Sequence, residues 1–164
     1  MISTWTKKPL NYGMLGPSGY APLSIPNMLL KPAEVFHAQS GKFVKFDGTD
    51  DVAVAGSGDT QLVGWADVQG VTGSVDGYTV PASTKPHRCE VFRDINARFL
   101  MPADAAVTDA VKGLTCDLIV TSEIQYADIG ESNEDVIIIL DTNASLQLVE
   151  VALSPIKLYT AGVV

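Results

Sequence analysis

The chain has 164 residues and a net charge of −8, and its 18% of charged residues falls below the roughly 25% usual in soluble domains. That length suits one domain with a sizeable core. No apolar run approaches the ~18 residues of a membrane span, and a body poor in Lys and Arg is excluded as a phosphate-binding surface, so neither membrane nor nucleic acid is an expected partner.

The first element is a leading segment. Residues 1–31 carry Pro9, Pro17, Pro22 and Pro26, with Gly13, Gly16 and Gly19 between them. Proline fixes φ and removes a donor, and glycine costs entropy to order, so neither a long helix nor a central strand is expected. Trp5, Tyr12, Met14, Tyr20, Met28, Leu29 and Leu30 are more apolar than a solvated tail requires. An extended arm follows, with Trp5, Lys7, Lys8, Tyr12, Met14 and Tyr20 as its candidate partner-binding residues. Thirty-one extended residues reach roughly 100 Å. Lys7 and Lys8 lead into Pro- and Gly-rich sequence rather than an apolar run, so no secretory signal is expected. Charge is uneven: residues 1–46 carry net +4 and residues 47–164 net −12. A basic arm complements an acidic neighbour, including another copy.

Residues 32–164 are expected to form one β-rich body. Phe43–Phe46, Val52–Ala55 and Leu62–Val68, separated by Gly and Asp turns, predict an antiparallel meander. Tyr78–Val80 adds a short strand. Arg88–Met101 resolves into two strands, because Pro86 and Pro102 bracket a stretch short for a packed helix. Ala105–Lys112, with Asp104 as cap and Gly113 as stop, predicts one short helix. Thr115–Thr121 and Ile124–Ala127 follow as strands. Val136–Leu140 is the strongest, an unbroken run that calls for burial on both faces or a covering subunit. The apolar phase of Leu146–Leu153 slips between Leu148 and Val149, which a bulge explains. The apolar residues of Pro155–Val164 predict a docked tail. The expected fold is all-β, a small antiparallel barrel or sandwich with one short helix and an extended N-terminal arm.

Chemistry finds little purchase. His37 and His87 have no paired-His or Cys–His spacing, and Cys89 and Cys116 fit no metal motif, so no metal or cofactor is expected and the thiols read as free and buried. Gly16–Gly19 and Gly56–Gly58 lack the strand–helix context and the Lys-Ser/Thr ending of catalytic and phosphate loops. Asp47, Asp50 and Asp51 read as turn residues rather than a calcium loop. The sequon at Asn143–Ser145 lacks a secretory context.

Several stretches together resemble tailed-phage capsid decoration, or cement, proteins: Lys31–Ala38, Gly41–Gly48, Gly64–Asp67, Arg98–Pro102, Val111–Gly113, Asp117–Val120, Asp135–Asp141 and Leu148–Val151. The resemblance spans about residues 31–153 and lies in the run of short strands divided by Gly and Asp turns. It implies a non-enzymatic virion protein, made in the host cytoplasm, that sits on the outer capsid surface. Its implied partners are the major capsid protein and other copies of itself, with a trimer favoured. Three other readings remain: a carbohydrate- or receptor-binding module of a virion, with Trp65 or Tyr78 as an aromatic platform; a small β-barrel enzyme with acids and His87 in one pocket; and a capsid shell subunit, which usually needs a longer chain.

Overall fold

The structure, a computed structural model, describes residues 13–14, 23–36, 41–48, 51–67, 78–79, 87–131 and 133–157. About these residues the chain is all-β. In order, the strands are β1 (Gly13–Met14), β2 (Ser24–Leu30), β3 (Val35–Phe36), β4 (Gly41–Phe46), β5 (Asp51–Val54), β6 (Gly64–Asp67), β7 (Tyr78–Thr79), β8 (His87–Phe92), β9 (Phe99–Pro102), β10 (Thr115–Thr121), β11 (Ile124–Asp128), β12 (Ile137–Asn143) and β13 (Leu148–Leu153).

Five strands close a barrel in the order β2-β5-β4-β6-β8. The order departs from a meander. β4 lies between β5 and β6, and β5 turns its other edge to β2 in a parallel pair, Leu29 opposite Asp51 and Leu30 opposite Val52. Closure is the reason: β5 must meet a strand on its free side, and β2 supplies it. The arm expected over residues 1–31 therefore ends earlier than its composition suggests. Ser24–Leu30 is a barrel strand with neighbours on both sides, and Pro26 is tolerated because the β2–β8 register shifts between Ile25 and Met28, where Asn27 adopts φ 61°.

The remaining strands form a six-stranded sheet, β1-β9-β13-β12-β10-β11. The sheet curls back on itself. Ala103, just past β9, makes a parallel bridge to Ala127 of β11, and the Asp104 N–H donates to the Ala127 carbonyl at 3.1 Å. A second, partly closed barrel results. β3 and β7 pair separately.

Two apolar clusters account for the packing. Leu30, Val44, Val52, Ala66, Cys89 and Val91 fill the first barrel. The larger cluster fills the second and runs out to the wall of the first, joining Phe99, Met101, Leu118, Ile137, Ile139 and Val151 to Phe43 and Trp65. Successive residues of a strand point to opposite faces. Thus Val44 and Ala66 face the barrel interior while Phe43 and Trp65 face the sheet, and β4 and β6 are buried on both sides. Phe43, Trp65 and Phe99 meet at this seam with ring centroids 5.0–5.1 Å apart.

Two local expectations are corrected. Residues 105–112 make only a 3₁₀ turn, Asp109–Val111, with Thr108 in the capping position. Two helical turns are too few to persist without a buried face, and Asp104 instead accepts a hydrogen bond from the Ile129 N–H at 2.9 Å. The bulge predicted in Leu146–Leu153 lies on the partner strand, between Ile139 and Asp141. β13 is buried at all six positions, and that removes its alternation. β12 has one buried face, Ile137 and Ile139, while Leu140 on the other is 39% exposed. Of the C-terminal tail, Pro155–Lys157 forms a turn whose Lys157 carbonyl accepts from Leu62 N–H, while Ile156 is exposed; residues 158–164 lie outside the described residues.

Candidate interaction surface

Of the residues read as the partner-binding arm, the structure describes Met14 alone. It pairs with Phe99 at the edge of the large sheet, Gly13 with Leu100. Trp5, Lys7, Lys8, Tyr12 and Tyr20 lie outside the described residues.

The junction between the barrels is built by polar residues that strand patterns alone do not reveal. On β11, Gln125 and Ala127 share the buried phase. The Gln125 side chain accepts from the Phe43 N–H at 2.8 Å and donates to the carbonyls of Phe43 at 3.0 Å and Ala55 at 2.7 Å. Its amide thus stands in for a peptide group where β11 meets the first barrel. Lys42 on β4 is 1% exposed. Its ammonium donates to the carbonyls of Val35 and Glu123 and lies 5.8 Å from the Phe36 ring centre. Burial lowers its pKa to about 8, against the opposing charges of Glu34 and Glu123. Burial also raises the Glu34 carboxyl above its ordinary value. The Glu123 carbonyl belongs to the β10–β11 turn, where Ser122 and Glu123 both hold positive φ, 50° and 68°. A glutamine in phase with a buried alanine was the available signal for Gln125. Nothing local marks Lys42, since its partners lie on other elements.

An acidic region occupies the opposite end of the second barrel. Asp117 accepts from three successive backbone N–H groups, Asn133 at 3.1 Å, Glu134 at 2.8 Å and Asp135 at 2.7 Å, which shapes the loop before β12. Burial and the charges of Asp104, Glu131 and Asp117 raise the pKa of Asp128. Nearby, a cleft of about 190 Å³ is lined by Val111, Leu114, Cys116, Ile129, Glu131 and Ile139, among others. Both cysteines are free and buried. Burial foremost, and then neighbouring acids, push each thiol up to about 12, so neither is poised as a nucleophile.

Other sequence candidates fall into structural places. Asp47 pairs with Lys31 at 2.9 Å, and Asp51 begins β5. Gly56–Asp59 is a turn in which Asp59 accepts from the Gly56 N–H at 2.8 Å and pairs with Lys45 at 2.6 Å. His87 begins β8, whereas His37 and Asp50 lie outside the described residues. Trp65 is buried at the seam and so cannot serve as an exposed platform; Tyr78 pairs with Phe36 in the β3–β7 sheet. Among the described residues, no group of three or more His, Cys, Asp or Glu is placed to hold a metal ion. No protein-family model, curated protein or solved structure matches the chain.

Proposed function

We propose that this chain is a non-enzymatic virion structural protein that binds the outside of a tailed-phage capsid and stabilises the shell across subunit joints. The observation that carries the reading is a division of labour along the chain. Among the body's buried polar groups, Lys42, Asp117, Gln125 and Glu150 bond within its own architecture. The leading segment brings Trp5, Lys7, Lys8, Tyr12, Met14 and Tyr20, whose aromatic and cationic side chains suit interface anchors. A stiff body with an anchoring segment suits a task performed by contact.

The mechanism is linkage. A protein that binds the assembled shell and not its separated subunits stabilises the shell in proportion to its occupancy. Contact between copies, for which a trimer is favoured, multiplies a modest affinity for each joint. A net charge of −8 makes DNA an unsuitable partner and suits the outer surface.

The test is sedimentation of the purified full chain with expanded heads stripped of outer proteins. Deletion must spare β2, so the informative variant lacks residues 2–12. Saturable binding by the full chain, reduced at least roughly ten-fold in the deletion, is expected. Equal occupancy by both would refute the role of the leading segment, and a chain that stays in the supernatant would refute the function. Glycan-array binding by a chain that ignores heads would instead favour a carbohydrate-binding module.

A further inference from the structure

The cleft of about 190 Å³ is the mouth of the second barrel. Its floor is Cys116 and Ile139, both fully buried members of the larger core cluster, and Val111 and Ile129 pack against that cluster. Barrel mouths are among the places where proteins take ligands. The volume lies below the roughly 300 Å³ at which small-molecule pockets begin, so the cleft suits one side chain of a partner rather than a free metabolite. Its lining is mixed. Val111, Leu114, Ile129 and Ile139 supply aliphatic surface, and Leu114 is 55% exposed. Thr115 and Glu131 supply polar surface. A side chain suited to both has an apolar stem and a polar head.

The surrounding charge sets the sign of that head. Asp117, Asp128, Asp104 and Asp135 all act on the cleft-lining Cys116, and Glu131 stands in the lining itself. Neutral donors hold these carboxylates. Asp117 accepts from three backbone N–H groups and Asp104 from that of Ile129. Asp135 accepts from the Thr115 hydroxyl at 2.5 Å, and Glu131 from the Asn133 amide at 3.1 Å. Such bonds fix the carboxylates in place and leave their charge uncompensated. The ion pairs formed among the described residues involve none of the five acids. Lys112, next to Val111 in the chain, is already engaged by Asp109 at 3.0 Å and Asp141 at 2.7 Å. Burial, and then the charges of Asp104 and Glu131, hold the Asp128 carboxyl above its ordinary value, as expected where acids crowd without a cation.

We propose that the mouth of the second barrel receives one arginine side chain from a partner protein, its stem against Leu114 and Ile129 and its guanidinium among Glu131, Asp128 and Asp104. The aliphatic lining takes the methylenes, and the uncompensated carboxylates take the charge. Arginine is favoured over lysine because a guanidinium is more weakly hydrated and presents its donors to several separate acceptors at once. The site lies on the body, apart from the leading segment, and does not require that the partner be a capsid shell.

Titration of the ¹⁵N-labelled full chain with the capped peptide acetyl-Ala-Arg-Ala-amide tests it, read by amide chemical shifts. The same peptide with citrulline keeps the stem and loses the charge; methylguanidinium keeps the charge and loses the stem. The arginine peptide should give saturable shifts at Leu114, Ile129 and Glu131. Its affinity should exceed that of either control by roughly ten-fold and fall roughly ten-fold in Glu131→Gln, an exposed position whose substitution leaves the core intact. No saturable shift at the cleft, equal binding of the citrulline peptide, or binding indifferent to Glu131→Gln would overturn the proposal. Methylguanidinium binding as tightly as the peptide would overturn it too, by assigning the mouth to a free cation. Head binding is read in a separate experiment, so either idea can fail alone.

Discussion

Gln125 joins two barrels with one side chain, and its removal has a calculable effect. Gln125→Leu leaves the Phe43 N–H and the carbonyls of Phe43 and Ala55 without these partners in a buried seam. An unsatisfied buried group costs about 1–3 kcal/mol, so a loss of about 3 kcal/mol overall is expected in urea unfolding. Lys42 makes a prediction in pH. Its pKa is about 8 in the fold against an ordinary 10.5, so between these values the unfolded chain binds the extra proton and stability rises with pH. The two thiols oppose this above pH 9, because the fold keeps their protons up to about 12 while the unfolded chain releases them at an ordinary 9.0. Comparison with Lys42→Met separates the effects. The urea midpoint of the wild type should gain on that of the variant between pH 7.5 and pH 9.5; a constant difference would show that burial does not hold the Lys42 pKa down. At the β10–β11 turn, Ser122 and Glu123 occupy left-handed backbone that Asn and Gly favour. Ser122→Asn with Glu123→Gly should stabilise the chain by about 1 kcal/mol, read the same way.

Elements differ in how far the sequence reveals them. β8 and β9 were legible because Pro86 and Pro102 bracket a stretch whose apolar residues suit strands. β10 and β11 were legible as strands, but their type of turn was not, since Ser122-Glu123 carries no turn signal. β2 departs from expectation because Pro26 argues against a central strand unless a register shift accommodates it, and that shift depends on β8, which lies far along the chain. The order β5-β4-β6 was hidden for a similar reason: local patterns give strands, while closure decides neighbours. The expected helix at 105–112 failed because the capping residue Asp104 had a better use at Ile129. Of the candidate site, the basic and aromatic character of the leading segment was readable. The acid-rimmed cleft was not, because its walls come from the 3₁₀ turn, β10, β12 and residues 129–131. These assignments separate two deletions. Removal of residues 2–12 should leave the cooperative thermal transition in place, whereas removal through Leu30 strips a strand from the first barrel and should abolish it.

At the scale of the whole molecule, the aromatic seam makes the two barrels one stability unit. The larger core cluster runs from Phe43 and Trp65 into the second barrel without a break. Phe99→Ala should therefore cost about 3–5 kcal/mol and still give a single transition by circular dichroism and tryptophan emission. Two transitions would mean that the barrels unfold separately. A body that does not part at its seam can transmit load between the surfaces it touches, and the proposed task requires that property. The most direct test of that task is cryo-EM of expanded tailed-phage heads saturated with the full chain. Density for both barrels is expected on the outer surface astride the joints between shell subunits, with the leading segment running onto a neighbour. Heads bare of added density at saturating protein, or density confined to the interior, would contradict it.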